Sequence, residues 1–291
     1  MEDTRIAGDE LELRRTEARL AYASRPEDAW VARGRYAAFG VSWAIQADDT
    51  SAYHLLLDRL PPGSVPVSNK TTARSYAFQT VPPSTPGDDV SYLLFADGAP
   101  LVRSSQPSDI AEAFEENVKW LVAEHSQRRV FVRAGVVGWR DRAIVIPGGP
   151  RSGKTTLVRA LVACGATYYS DEYAVFDGGS VQPYRSRPPE WIGEGGGLSF
   201  LLDEIRGVEP IAPLPVGIVL FAPHQPGAVF KPKLISRGKS LLGLFKHAVA
   251  AQRRPEQVLR VLDVITRRCN ALEGLRGDAH GVATYLLDRL V

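Results

Sequence analysis

The eight residues from Gly148 to Thr155 restrict what this chain can fold into more than any other stretch. Their letters, GGPRSGKT, match the pattern G-x-x-x-x-G-K-[ST] at every fixed position. Residues 142–147 are mostly apolar and predict a short buried strand, and residues 156–163 place apolar side chains at helical spacing. A strand, a glycine-rich loop and a helix in this order indicate a phosphate-binding loop, whereas a chance glycine-rich turn would not require both flanks.

The residue types of this stretch, called the phosphate loop below, suit a nucleoside triphosphate. Glycines at both ends let backbone N–H groups point inward as an anion nest, and the amino end of the following helix adds partial positive charge. Lys154 would place its charge near the β- and γ-phosphates, and the hydroxyl of Thr155 would ligate Mg²⁺. The residues predicted to bind the nucleotide are consecutive: Gly148, Gly149, Pro150, Arg151, Ser152, Gly153, Lys154, Thr155 and Thr156.

Two adjacent carboxylates, Asp171 and Glu172, follow the phosphate loop after one predicted helix and one predicted strand. A Mg²⁺ ion that bridges nucleotide phosphates takes one or two protein carboxylates. A hydroxyl that accepts a phosphoryl group needs a carboxylate to receive its proton. The pair is therefore predicted to serve a metal and a base, and the alternative is an ordinary charged turn.

Composition excludes several classes of protein. The chain has 291 residues, of which 44% are hydrophobic and 23% charged, as in globular proteins with one large or two moderate domains. A net charge of +2, spread along the sequence, predicts no nucleic-acid partner. No apolar run reaches the length of a membrane span, and residues 1–5 lack an apolar signal core, so we expect a cytoplasmic protein with no membrane partner. The two cysteines form neither a disulfide framework nor a metal-ligand spacing.

The sequence predicts three segments: a polar segment over residues 1–35, a small α/β domain over 36–106 and a phosphate-loop domain over 107–291. In the small domain we expect a helix over 49–60 and a hairpin that turns at Asp97-Gly98, a favoured tight-turn pair. Residues 108–124 predict an amphipathic helix, capped by Ser108 or Asp109.

The second domain continues with further elements. Residues 130–146 predict two strands joined near 139–142, and residues 214–222 predict another buried strand. The last fifty residues predict mainly helix, with a short strand at 270–276. Between them, Arg185 and Arg187 could clamp phosphates or an acidic substrate, and the glycines at 195–197 could form a mobile lid. A solvated loop is an equally good interpretation.

The early acidic pair makes the chain resemble the HPr kinase/phosphorylase family. That family shows a strand, G-x-x-x-x-G-K-[ST], a helix and then an Ala-Asp-Asp-like turn, which here is Ser170-Asp171-Glu172. The likeness is good from Val130 to Asp177 and weaker at 185–188, 216–227 and 276–280. Small relatives encoded beside peptide natural-product genes, including lasso-peptide kinases, are similar in having a small α/β region before the kinase domain.

The resemblance implies an α/β, PEPCK-like fold with a helical carboxyl-terminal end, and an ATP- and Mg²⁺-dependent kinase. The acceptor would be a hydroxyl of a peptide, often a serine, or of a small molecule. Lys154 would hold the β/γ-phosphates, Asp171 would accept the hydroxyl proton, and Thr155, Asp171 and Glu172 would bind the metal. Because HPr kinases assemble into hexamers, the resemblance also raises a homo-oligomer as an expectation.

Two positions depart from the family pattern. Arg133-Ala134-Gly135 stands where the family commonly has a His-Ala or His-Gly pair, and Glu172 replaces the second aspartate. A guanidinium stays protonated, so Arg133 cannot act as a neutral imidazole. As a catalytic residue it could pair with Asp171 or stabilise the transferred phosphate; alternatively, the chain is a nucleotide- or partner-binding module without catalysis. A reversible kinase/phosphorylase is a weaker third hypothesis, since its motifs are missing.

Overall fold

The computed structural model describes Tyr22, Pro26 and residues 29–68, 70–83, 89–186 and 211–289. The chain divides into two compact units, Met1–Ser126 and Gln127–Val291. The helix that begins near residue 107 falls in the first unit, whereas the sequence assigned it to the second domain. The polar segment over residues 1–35 lies mostly outside the described residues, and the three-segment assignment stays a prediction.

The first unit is built around a six-stranded sheet. Its elements are β1 (Ala32–Ala38), β2 (Val41–Ala47), α1 (Thr50–Leu57), β3 (Val65–Pro66), β4 (Arg74–Val81), β5 (Ser91–Ala96), β6 (Ala99–Ser104) and α2 (Pro107–His125). The strand order is β3-β1-β2-β4-β5-β6, and only the β2–β4 pair is parallel. The sheet is therefore mixed, as its short connections and one helical crossover require.

Local signals in the first unit predicted α1, the β5–β6 hairpin and α2. Asp49 caps α1 by accepting a hydrogen bond from the Ala52 N–H, and Asp97 and Gly98 turn the β5–β6 hairpin with φ of 52° and 76°. The predicted caps of α2 are wrong: the N-cap is Gln106, which makes no side-chain cap bond. Pro107 explains the earlier start, because proline is pre-organised for the first helical position and has no N–H to satisfy.

The second unit contains an eight-stranded sheet and four of the six described helices. Its elements are β7 (Val130–Trp139), β8 (Arg142–Pro147), α3 (Lys154–Ala163), β9 (Thr167–Ser170), β10 (Tyr173–Asp177), β11 (Ser180–Gln182), β12 (Leu214–Phe221), β13 (Lys233–Leu234), α4 (Arg237–Lys246), α5 (Pro255–Thr266), β14 (Asn270–Glu273) and α6 (Ala279–Arg289). The order is β11-β10-β7-β8-β12-β14-β13, with β9 also paired to β7. The mixed α/β class is thus confirmed.

Three neighbouring strands, β8, β12 and β14, run parallel in the middle of this sheet. Helices α3 and α6 pack on one face, where Leu161 and Leu286 are buried, and α4 and α5 pack on the other, where Leu244 and Leu262 are buried. Cover on both faces explains why β8 is a continuous apolar run, and it brings the carboxyl ends of the three strands to one edge. No helix among the described residues combines the length and apolarity needed to cross a bilayer.

Candidate functional site

The phosphate loop leaves the carboxyl end of β8 and enters α3, as the sequence predicts. Gly153 is the N-cap of α3 in the left-handed conformation, with φ of 80°, and it offers no side chain to cap the helix. The first N–H groups of a helix lack intrahelical partners, and here the cap residue does not satisfy them. The amino end of α3 is therefore suited to bind an anion.

Lys154 lies folded over the phosphate loop. Its Nζ donates to the Gly149 carbonyl at 2.6 Å and to the Ser152 Oγ at 3.4 Å. Burial lowers the pKa of Lys154, and the nearby charge of Arg133 lowers it further, whereas Asp171 acts in the opposite direction. The ammonium group is thus held inside the loop, where its charge is less screened than on an open surface.

A buried arginine, Arg276, holds the phosphate loop in place, although the sequence analysis did not single it out. Arg276 is 1% exposed, and its Nη2 donates to the Gly153 carbonyl at 2.5 Å while its Nε donates to the Ala222 carbonyl at 3.1 Å. A Cβ added to Gly153 would lie 2.3 Å from that Nη2. Arg276 therefore ties the phosphate loop to the end of β12, and Gly153 is required both by its φ and by this close approach.

Asp171 lies beside the loop, at the end of β9. It is 8% exposed. Its Oδ2 accepts a hydrogen bond from the Thr155 hydroxyl at 3.4 Å, and its Oδ1 accepts one from the Tyr168 hydroxyl at 2.8 Å. Burial, reinforced by the Asp171 charge, raises the pKa of Tyr168, so the phenol remains a donor. The two sequence-predicted residues Thr155 and Asp171 are therefore in contact.

The turn that presents the acidic pair is held by Ser170, which is fully buried. The Ser170 Oγ accepts hydrogen bonds from the N–H groups of Glu172 at 3.1 Å and Tyr173 at 3.0 Å. The Glu172 carbonyl accepts from the Ala134 N–H at 3.1 Å, which fastens the turn to β7. Glu172 itself is half-buried. In the described part of the chain, no group of three or more His, Cys, Asp or Glu side chains could hold a metal, so any ion here would rely on fewer carboxylates.

Arg133 lies on β7 next to the loop, with an exposed side chain. Its carbonyl accepts from the Gly148 N–H at 3.2 Å, and its own N–H donates to the His247 carbonyl at 2.9 Å. Among the described residues, no ion pair joins Arg133 to Asp171, whose carboxylate accepts hydrogen bonds from Thr155 and Tyr168. The positive charge of Arg133 does act on Lys154.

A cavity of about 330 Å³, called the loop cavity below, opens above the phosphate loop. Besides loop residues, it is lined by Lys246, His247 and Glu273, which the sequence did not predict. Burial, Lys246 and Lys154 all lower the pKa of His247. No local sequence signal marks these residues, because the end of α4 and the end of β14 meet the loop only through the tertiary fold.

The predicted arginine clamp is described only in part. Arg185 is half-buried, and burial lowers the pKa of its guanidinium. The nearby Tyr168 and Tyr169 raise that pKa by a smaller amount. Arg185 is thus a neighbour of the tyrosine that binds Asp171. Arg187 and the glycines at 195–197 lie outside the described residues.

Comparison with known proteins gives little beyond this geometry. No protein-family model matches the chain, and no curated protein matches it. Among solved structures it is similar to the HPr(Ser) kinase/phosphatase from Coxiella burnetii, with 13% sequence identity over 55% of this chain and 93% of that chain and a TM-score of 0.26. A TM-score this low assigns no fold, family, activity or residue to this chain.

Proposed function

We propose that the chain is an ATP-dependent kinase of the HPr-kinase type, with a PEPCK-like phosphate-loop domain, that phosphorylates a hydroxyl of a peptide, a protein or a small molecule. The observation that carries the proposal is the contact between the Thr155 hydroxyl and the Asp171 carboxylate, 3.4 Å apart at the end of the phosphate loop. Phosphoryl transfer needs a phosphate cradle and a carboxylate at one point, and these two residues provide it.

The chain's own charges would position the triphosphate of ATP. The uncapped N–H groups of α3 and the Lys154 ammonium would bind the β- and γ-phosphates, and Arg133 would face the transferred group from β7. Thr155, Asp171 and Glu172 offer the hard oxygen ligands that Mg²⁺ prefers, and the ion would neutralise phosphate charge when bound. Lys154 would exchange its bond to the Gly149 carbonyl for phosphate oxygens.

Asp171 would act as the proton acceptor. As the acceptor oxygen forms its bond to the γ-phosphorus, the bridging bond between that phosphorus and ADP breaks, and the hydroxyl proton passes to the Asp171 carboxylate. The Tyr168 hydroxyl, bound to Oδ1, would keep Asp171 oriented with Oδ2 toward the loop. General-base assistance of this kind contributes about 10²–10⁴-fold to a rate.

The test is Asp171→Asn, assayed by mass spectrometry of candidate acceptors incubated with ATP and Mg²⁺. We expect transfer to fall by about 10²–10⁴-fold while ATP affinity, measured by calorimetry, stays within a few-fold. Asp177→Asn is the matched control, because Asp177 lies on β10 and pairs with Arg128 and Arg129, away from the loop. An unchanged transfer rate in Asp171→Asn would remove Asp171 as the base.

Arg133 favours a second candidate, a nucleotide- or partner-binding module without catalysis. An arginine occupies the strand position before the loop, and it cannot exchange a proton near neutral pH. The same assay separates the two candidates: ATP binding without transfer to any peptide or small-molecule acceptor would support the binding module. The cytoplasmic location, the homo-oligomer and the identity of the acceptor remain predictions.

A further inference from the structure

A second cavity, larger than the loop cavity, opens at the opposite ends of the same three parallel strands. Its volume is about 540 Å³, within the range of small-molecule sites. We call it the arginine cavity and define it by the following lining residues: Trp139, Arg142, Arg267, Arg268, Cys269 and Asn270. Arg142 begins β8 and Asn270 begins β14, whereas the other ends of those strands, at Pro147 and Glu273, line the loop cavity.

We propose that the arginine cavity binds a small polyanion with at least two phosphate or carboxylate groups, at a site separate from the phosphate loop. Guanidinium groups present paired N–H donors that match the oxygens of these anions. Arg142 comes from β8, whereas Arg267 and Arg268 follow α5, so the donors reach the cavity from two separate elements. A ligand with two anionic groups could contact both. This inference does not depend on the proposed kinase activity.

The charge of the cavity is of one sign. Among the described residues, no carboxylate forms an ion pair with Arg142 or Arg268, and none lines the cavity. Only Arg267 is neutralised, through an ion pair of 2.8 Å between its Nε and the Asp263 carboxylate. Burial raises the pKa of the Cys269 thiol to about 11, so the sulfur adds no negative charge near neutral pH. Two guanidinium groups are therefore left to bind an anion.

Close packing against two glycines restricts where these arginines lie. The side chain of Arg142 crosses Gly217, where an added Cβ would lie 2.9 Å from the Arg142 Cβ and 3.0 Å from its Cδ. The Nη1 of Arg268 would lie 3.2 Å from a Cβ added to Gly179. Gly217 thus provides room for the stem of Arg142, and Gly179 provides room for the guanidinium of Arg268.

Trp139 gives a means of detection. The guanidinium carbon of Arg140 lies 5.9 Å from the centre of its indole ring. Because Trp139 lines the arginine cavity, its indole is close to any anion bound in it. Binding of an anion there should change the fluorescence of this indole.

The test uses the full chain with Lys154→Ala, which weakens anion binding at the phosphate loop. Pyrophosphate and citrate are titrated separately, because they distinguish phosphate from carboxylate ligands, and binding is followed by calorimetry and tryptophan fluorescence. The chain has five tryptophans, so Trp139→Phe identifies the signal of the arginine cavity. We expect saturable binding of at least one probe, with a fluorescence change that Trp139→Phe removes.

Localisation comes from adding Arg142→Gln and Arg268→Gln to the Lys154→Ala protein. Two lost charged hydrogen bonds should weaken binding by at least about 10-fold. Arg260→Gln is the matched control, since Arg260 is an exposed arginine of α5 that does not line the cavity. Unfolding temperatures verify that all variants are folded. The proposal is overturned if neither probe saturates at millimolar concentration, or if Arg260→Gln weakens binding as much as the double substitution does.

Discussion

The two ends of the strands β8, β12 and β14 carry cavities that differ in the charges around them. At the carboxyl end, Lys154 and Arg133 lie near Asp171, and the loop between them is fixed by the buried Arg276. At the amino end, the arginine cavity has exposed arginines and, in the part of the chain that the structure describes, no lining carboxylate. Group transfer needs both signs of charge in a fixed geometry, because one group stabilises the phosphate and another moves a proton. One sign alone is sufficient for binding.

Replacing one arginine by methionine at each end of the strands should distinguish a buried, hydrogen-bonded arginine from an exposed one. Arg276→Met leaves the carbonyls of Gly153 and Ala222 without their buried donors, so we expect a loss of about 2–5 kcal/mol in the free energy of unfolding. Arg142→Met, at the exposed start of β8, should change it by less than about 0.5 kcal/mol. Urea unfolding measures both. Equal effects of the two substitutions would contradict the contrast between the ends.

A matched pair of glycines tests the geometry rather than the charge. Gly153→Ala combines a φ of 80° with a contact of 2.3 Å to the buried Arg276, and it should cost about 2–4 kcal/mol. Gly217→Ala brings a Cβ to 2.9 Å from the Arg142 Cβ, which the backbone holds in place, but it needs no left-handed φ, so it should cost about 1–2 kcal/mol. Thermal unfolding of both variants, with and without ATP, measures the difference. A larger loss for Gly217→Ala would show that the amino end is the more rigid one.

The parts of the fold that the sequence predicts are those encoded by neighbouring residues. The cap at Asp49, the turn at Asp97-Gly98 and the strand–loop–helix around Gly153 each depend on residue types within one short window. The amino end of α2 shows the limit: Ser108 and Asp109 are good caps in isolation, but with Pro107 at the first helical position the N-cap is Gln106, two residues before Ser108. Local chemistry predicts an element, and competing local signals decide its boundary.

The candidate site was predictable where its residues follow the loop closely in sequence. Asp171 lies one helix and one strand beyond Thr155, between β9 and β10, which pair with successive parts of β7 beside the loop. Three other residues near the loop are far from it in sequence: Arg276, Lys246 and His247. They reach the loop only because α4 and the end of β14 pack beside it. A buried arginine also looks like any charged surface residue in a sequence, so its role becomes visible only with its partners.

Tyr168→Phe tests whether the carboxyl end depends on an oriented carboxylate. The substitution removes the 2.8 Å hydrogen bond to Asp171 but keeps the ring. Without that bond, the carboxylate loses the donor that keeps its Oδ2 oriented toward the Thr155 hydroxyl. If Asp171 is the base, kinase activity should fall by about 10-fold, equal to about 1.4 kcal/mol, while ATP affinity measured by calorimetry stays within a few-fold. An unchanged rate would show that the orientation of Asp171 does not depend on Tyr168.

The smallest expected difference between the ends is their response to pH. Burial and the charges of Lys246 and Lys154 hold the pKa of His247 below 6.5. This imidazole is therefore neutral near pH 7, and its surroundings disfavour the protonated form. A histidine with a lowered pKa in the folded state destabilises the fold as the pH falls below the unfolded value of about 6.5. An anion in the loop cavity would offset part of that cost, and the pKa of His247 should therefore rise when an anion binds. Arginines do not titrate in this range.

Sulfate is a suitable probe for this difference, since it remains a dianion between pH 8 and pH 5. Its affinity for the loop cavity should increase by a few-fold over that range, and its affinity for the arginine cavity should stay constant. NMR titration of the imidazole signals measures the pKa of His247 with and without sulfate, and His247→Asn assigns its signal among the five histidines. A pKa of His247 that did not rise on addition of sulfate would show that the anion binds elsewhere and not in the loop cavity.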